Sequence, residues 1–119
     1  MQLVDFNTPI LDVFDKEIIL GDEPLRLGHI CVNSLTASED DEDVTPTKKL
    51  RWFRFAQKLI DHDPNSDREF KEKELSPQQV EILGNRVEKN PMYKGSITIF
   101  ARAKELLNGG AVAEDEDEL

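Results

Sequence analysis

Oxygen ligands recur at a chemically useful spacing in one stretch of this chain, Asp61-His62-Asp63-Pro64-Asn65-Ser66-Asp67-Arg68-Glu69-Phe70-Lys71-Glu72. Asp61, Asp63, Asn65, Asp67, Glu69 and Glu72 stand where an EF-hand calcium loop places its ligands, directly after a segment with helical periodicity. Calcium takes six to eight oxygens, and a loop bent round the ion delivers them from alternate residues. Three departures oppose that use. Ser66 stands where the sharp turn calls for Gly, and Arg68 where paired loops carry an apolar residue. Ser76-Pro77 marks the start of a new helix and leaves little room for an exiting one. There is no second loop to pair with. A calcium-binding module is therefore an alternative reading, behind a solvated acidic loop, and no metal or cofactor is expected.

The catalytic inventory is thin. The two histidines, His29 and His62, lie on a polar helix side and in the acidic loop. Cys31 is the single cysteine and falls on an apolar helix face, where the type is more often core than nucleophile. A lone cysteine forms no intrachain disulfide and suits a reducing cytosol. The sequence contains no glycine-rich phosphate loop, nucleophile elbow, HExxH pair or zinc-binding cysteine cluster. An enzyme is not expected.

Charge is distributed unevenly. Glu39-Asp40-Asp41-Glu42-Asp43 and Glu114-Asp115-Glu116-Asp117-Glu118 hold five acids each, and together they equal the formal net charge of -10. The rest of the chain is neutral, so two acidic appendages decorate a balanced body. Such runs solubilise, repel anions or reach for a basic surface. Mimicry of DNA is a further alternative, but a mimic needs charges fixed at phosphate spacing on a folded surface. Between the runs lies the opposite sign: Lys48, Lys49, Arg51, Arg54 and Lys58, with Trp52 and Phe55 interleaved. Five acids directly upstream cancel much of that field, which argues against direct nucleic-acid binding. Lys48, Arg51, Trp52, Arg54 and Phe55 are the candidate contacts for a protein partner.

The elements that would position these residues make an α+β fold, a short N-terminal β hairpin packed on three to four α-helices. Leu3-Val4-Asp5-Phe6 reads as a strand, and residues 11–14 and 17–20 read as a hairpin turning over Asp15-Lys16. Gly21-Asp22-Glu23-Pro24 leads into a helix with Leu27, Ile30, Cys31 and Leu35 on one face. Thr45-Pro46 opens a second helix to about residue 60. It carries one stripe of Leu50, Phe53, Ala56, Gln57 and Ile60, and an adjoining one of Trp52, Phe55 and Leu59. Residues 61–75 are polar and turn-rich. Ser76-Pro77-Gln78-Gln79 is a capping box opening a helix that turns Val80, Leu83 and Val87 inward. A last helix over residues 96–108 stops at Gly109-Gly110. Residues 1–110 make one small domain with a mobile acidic loop at 37–46, and residues 111–119 a disordered acidic tail. No run of about 18 apolar residues is present, and the N-terminus lacks a basic start followed by an apolar stretch, so neither a membrane span nor a secretory signal is expected.

Asn7-Thr8-Pro9-Ile10, Leu25-Arg26-Leu27-Gly28 and Glu74-Leu75-Ser76-Pro77 together resemble the small accessory proteins of tailed bacteriophages and prophages. The resemblance spans residues 7–107. It implies a phage origin, and so a bacterial host's cytoplasm, more than a mechanism; with the thin catalytic inventory, the expectation is a non-enzymatic interaction protein. Its partner would be a host factor or a virion assembly component.

Overall fold

Leu27, Ile30, Cys31 and Leu35 recur at helical spacing, and the structure buries all four on the inner face of helix α1, Leu27–Thr36. The structure is a computed structural model and describes residues 2–36, 45–90 and 96–107. Helix α1 packs against helix α2 (Pro46–Leu59), helix α3 (Pro77–Lys89) and helix α4 (Ile97–Leu107), so it is the hub of the fold. Among the described residues two small antiparallel sheets complete it. Strand β1 (Gln2–Asp5) pairs with β4 (Glu72–Leu75), Gln2 opposite Leu75 and Asp5 opposite Glu72. Strand β2 (Ile19–Leu20) pairs with β3 (Glu23–Pro24). The architecture is α+β, as the sequence suggests.

The N-terminal hairpin forms, shifted along the chain. Residues 11–17 close on a single bridge, Leu11 to Glu17, with Val13 and Phe14 exposed. Asp12 holds this wide turn by accepting from the Phe14 and Lys16 amides, and Asp15 adopts a left-handed φ of 61°. The ladder of two strands turns instead over Gly21-Asp22, where Gly21 takes φ +66° at no steric cost. The Asp15-Lys16 pair has no glycine to offer, which is why the tight turn lies elsewhere. Pro24 accordingly ends in β3, and α1 starts three residues later than a first-turn proline would place it. The opening amides of that helix donate to upstream carbonyls, Leu27 to Thr8 and Gly28 to Phe6, which satisfies donors left orphaned at a helix start.

Residues 61–75 are more ordered than their polarity suggests. Ile60 bridges to Phe70, Lys71 donates to the Leu59 carbonyl, and β4 follows. Phe70 is buried and lies directly over Gly28, where an added Cβ would stand 2.1 Å from the ring. The glycine in α1 is therefore a close-packing site. Helix α4 is pinned to the Asp12 turn by Arg102, which donates to the Leu11 and Asp12 carbonyls and pairs with Asp15 at 2.8 Å.

Helix α3 begins as its sequence indicates. The Ser76 hydroxyl accepts from the Gln79 amide, and the Gln79 side chain accepts from the Ser76 amide. Ser76→Ala should lower stability by about 1 kcal/mol, read as a fall in the urea midpoint at constant slope. A midpoint unchanged within error would mean that the cap contributes nothing here. The acidic runs, the connection at 92–95 and the tail at 111–119 lie outside the described residues.

Candidate interaction groove

Helix α2 has no acid along its length, and its first turn is closed by Thr45, whose hydroxyl accepts from the Lys48 amide. Its inward stripe is Trp52, Phe55, Ala56 and Leu59, with Ala56 and Leu59 buried and the two aromatics half-buried. The other stripe divides: Ala56 is buried and Ile60 half-buried, whereas Leu50 and Phe53 are 50% and 51% exposed and Gln57 is exposed. The reason is geometric: α1 covers one side of α2, and the Leu50–Phe53 side turns away from it.

Lys48, Arg51, Trp52, Arg54 and Phe55 all border one open groove of about 500 Å³, with Lys58 from the same helix. Helix α3 supplies Gln79 and Ile82. Trp52, the chain's single tryptophan, anchors the floor. Its ring lies 4.3 Å from the guanidinium of Arg86, a residue only 4% exposed. Arg86 also donates through Nε to the Ser34 carbonyl at 3.0 Å, and Asn90 donates to the Ser34 hydroxyl. One buried arginine thus ties the end of α1 to α3 and fixes the tryptophan plane on α2. The ion pairs Arg68–Asp5 and Arg102–Asp15 and the His29–Glu69 hydrogen bond, among the described residues, involve none of the groove's Lys48, Arg51, Arg54 and Lys58. The groove therefore combines an aromatic and aliphatic floor with four cations on its border.

Lys58, Gln79 and Ile82 are absent from the five contacts anticipated from sequence. Gln79, Ile82 and Arg86 lie at i, i+3 and i+7 on α3, a stripe apart from Leu83 and Val87. That spacing is the signal that would have added Ile82.

The six oxygen-bearing residues of 61–72 meet a different fate. Asp61 accepts the Asp63 amide on one carboxylate oxygen and the Ser66 hydroxyl on the other. Those bonds hold its carboxyl below the usual range, the Asp63 amide first among the causes. Asp63 accepts the Asn65 amide, and Glu69 lies 3.0 Å from His29 Nε2. Asp67 is exposed, and Glu72 lies in β4 opposite Asp5 rather than on an exiting helix. Among the described residues no group of three or more His, Cys, Asp or Glu side chains is placed to hold a metal ion. The loop is closed by its own turns and by Asn7, whose side-chain oxygen accepts the Glu69 and Phe70 amides.

His29 serves as a fastener. Nδ1 accepts the Arg26 amide, so Nε2 carries the proton donated to Glu69, and the ring meets Phe70 edge-on at 4.9 Å. Cys31 is fully buried, and desolvation pushes its thiol far above the ordinary range. Among the described residues no helix is long and apolar enough to cross a membrane. The chain matches no family model, no curated protein and no solved structure.

Proposed function

We propose that this chain is a non-enzymatic interaction protein that binds an acidic, amphipathic segment of a partner protein in the groove between α2 and α3. The convergence of Lys48, Arg51, Trp52, Arg54, Phe55, Lys58 and Ile82 on one open groove carries this reading. Aromatic anchors and arginines are the residue types that concentrate binding energy at protein interfaces. Lys48 and Lys58 are ten residues apart on α2, about 15 Å of helix rise, which matches some three turns of a partner helix. Acids on the ligand would meet the border while its apolar side covers Trp52, Phe55 and Ile82. With a body of balanced charge and a net charge of -10, steering of a nucleic acid is weak, so a protein ligand is favoured. A bacteriophage setting, with a host factor or a virion component as partner, fits the resemblance in the sequence.

The test uses a synthetic helical peptide of about four turns, Leu along one face and Glu along the other. Trp52 emission reports the groove because no other tryptophan is present. The peptide should give a saturable change that a scrambled peptide of equal composition does not. The change should vanish in Arg51→Glu with Arg54→Glu, at an unchanged melting temperature. Equal response to the scrambled peptide, tighter binding of a single-stranded oligonucleotide, or no binding to either the full chain or one ending at residue 110 would overturn the proposal.

A further inference from the structure

We propose that two copies of this chain associate face to face, each inserting Phe14 into a hollow of the other lined by Leu20, Pro24, Leu25 and Ile99. This surface shares no residue with the α2–α3 groove. Val13 and Phe14 are 71% and 78% exposed, yet the backbone that carries them is firmly held. Asp12 accepts the Phe14 and Lys16 amides, and its own amide donates to the Lys16 carbonyl at 2.8 Å. Asp15 adopts a left-handed φ, uncommon outside glycine. From α4, Arg102 donates to the Leu11 and Asp12 carbonyls and to the Asp15 carboxylate. A scattered exposed apolar side chain is ordinary, but a fixed turn that holds a phenyl ring in water is preorganised to deliver it to a pocket.

Such a pocket lies on the same molecule. A hollow of about 400 Å³ opens between the β2–β3 pair, α1 and α4, and Leu20, Pro24, Leu25 and Ile99 are its apolar lining. Its size is that of a small ligand site, and Phe14 of the same chain is not among its walls. Ile19 in β2 and Ile97, two residues before Ile99, add exposed apolar surface to the same elements. Ile99 of the hollow and Arg102 of the brace are three residues apart, so they lie on one face of α4. Knob and hollow therefore share a side of the molecule. A two-fold axis between them lets each copy fill the other, a closed contact that ends at two subunits.

Charge agrees with this exchange. Asp12 and Asp15 are occupied by the loop amides and by Arg102. Lys16 is exposed and enters none of the ion pairs among the described residues, so the knob presents a cation. Glu23 is the one carboxylate that lines the hollow. Two aromatic anchors and two ion pairs form a contact at the small end of the interface scale, so the dimer should be weak and concentration-dependent.

Sedimentation equilibrium of the full chain over about 1 µM to 1 mM tests the exchange. The native chain should fit monomer and dimer alone. Phe14→Ser should weaken the dimer by about a hundredfold at an unchanged melting temperature, since two rings are lost per dimer. Lys16→Glu and Glu23→Lys should each weaken it by about fivefold, and an equimolar mixture of these two variants should regain near-native affinity. Mixing restores both opposite-charge contacts only if each copy sets its loop on the other's hollow. Any of four results sinks the proposal: a monomer throughout, growth beyond the dimer, native affinity in Phe14→Ser, or a mixture no tighter than its components.

Discussion

Phe70→Ala is expected to destabilise the protein by about 3–5 kcal/mol, and Gly28→Ala by about 1–3 kcal/mol or more. The two effects should not add. Phe70 is buried and its ring closes over the backbone of α1 at Gly28, where a Cβ would stand 2.1 Å from Cγ. That approach is closer than any real contact, so in the wild-type background an added methyl displaces the ring, and with it the edge contact to His29. Once the ring is removed, the methyl has room. Alanine is then the better helix former by about 1 kcal/mol, so Gly28→Ala in the Phe70→Ala background should be neutral or mildly stabilising. Urea unfolding of the four proteins gives the coupling energy directly. Additivity within about 0.5 kcal/mol would mean that the ring does not rest on this glycine.

Arg86→Met should cost about 2–4 kcal/mol, although it keeps a long side chain and removes a buried charge. The side chain donates to the Ser34 carbonyl near the end of α1 and lies against the Trp52 ring from below the groove. A charge-assisted bond accounts for about 1.5–3 kcal/mol and a desolvated cation–π contact for up to about 2. Arg86→Lys should recover little of the loss, because an ammonium cannot donate sideways through Nε while lying flat on an indole. Thermal unfolding gives the loss, and the Trp52 emission maximum should move in both variants. Full rescue by lysine would show that charge alone matters at this position and that the fixed plane does not.

The helices were legible in the sequence because each announces itself locally. Thr45-Pro46 and Ser76-Pro77 form caps of the expected geometry, and the apolar spacing of 27–35 and 80–87 matches the buried faces. The pairing of strands was not legible. Leu3 and Val4 find their partners in Glu74 and Lys73, and a Glu-Lys-Glu-Leu strand carries no apolar alternation from which to read it. Helix α2 shows a subtler limit. Two apolar stripes of similar strength leave the buried one undecided until α1 is in place, and the Trp52–Phe55–Leu59 stripe prevails. The same ambiguity explains the candidate site. Five groove residues follow from basic and aromatic types sharing one helix, whereas Gln79 and Ile82 come from a helix whose position relative to α2 no local pattern encodes.

The β1–β4 pairing has a consequence for how the chain acquires its shape during synthesis. Gln2 lies opposite Leu75, so roughly seventy residues must be made before β1 has a partner, about 4–14 s at ordinary ribosomal rates. Until then Val4 and Phe6, both buried in the finished protein, have no β4 to lie beside, and α1 shows bare backbone at Gly28 where Phe70 will lie. Helices α1 and α2 are complete long before, and local contacts form fastest. The nascent chain therefore passes through a stage with two helices formed and a sticky leading strand unpaired, the stage at which a chaperone or a neighbouring chain finds the most to hold.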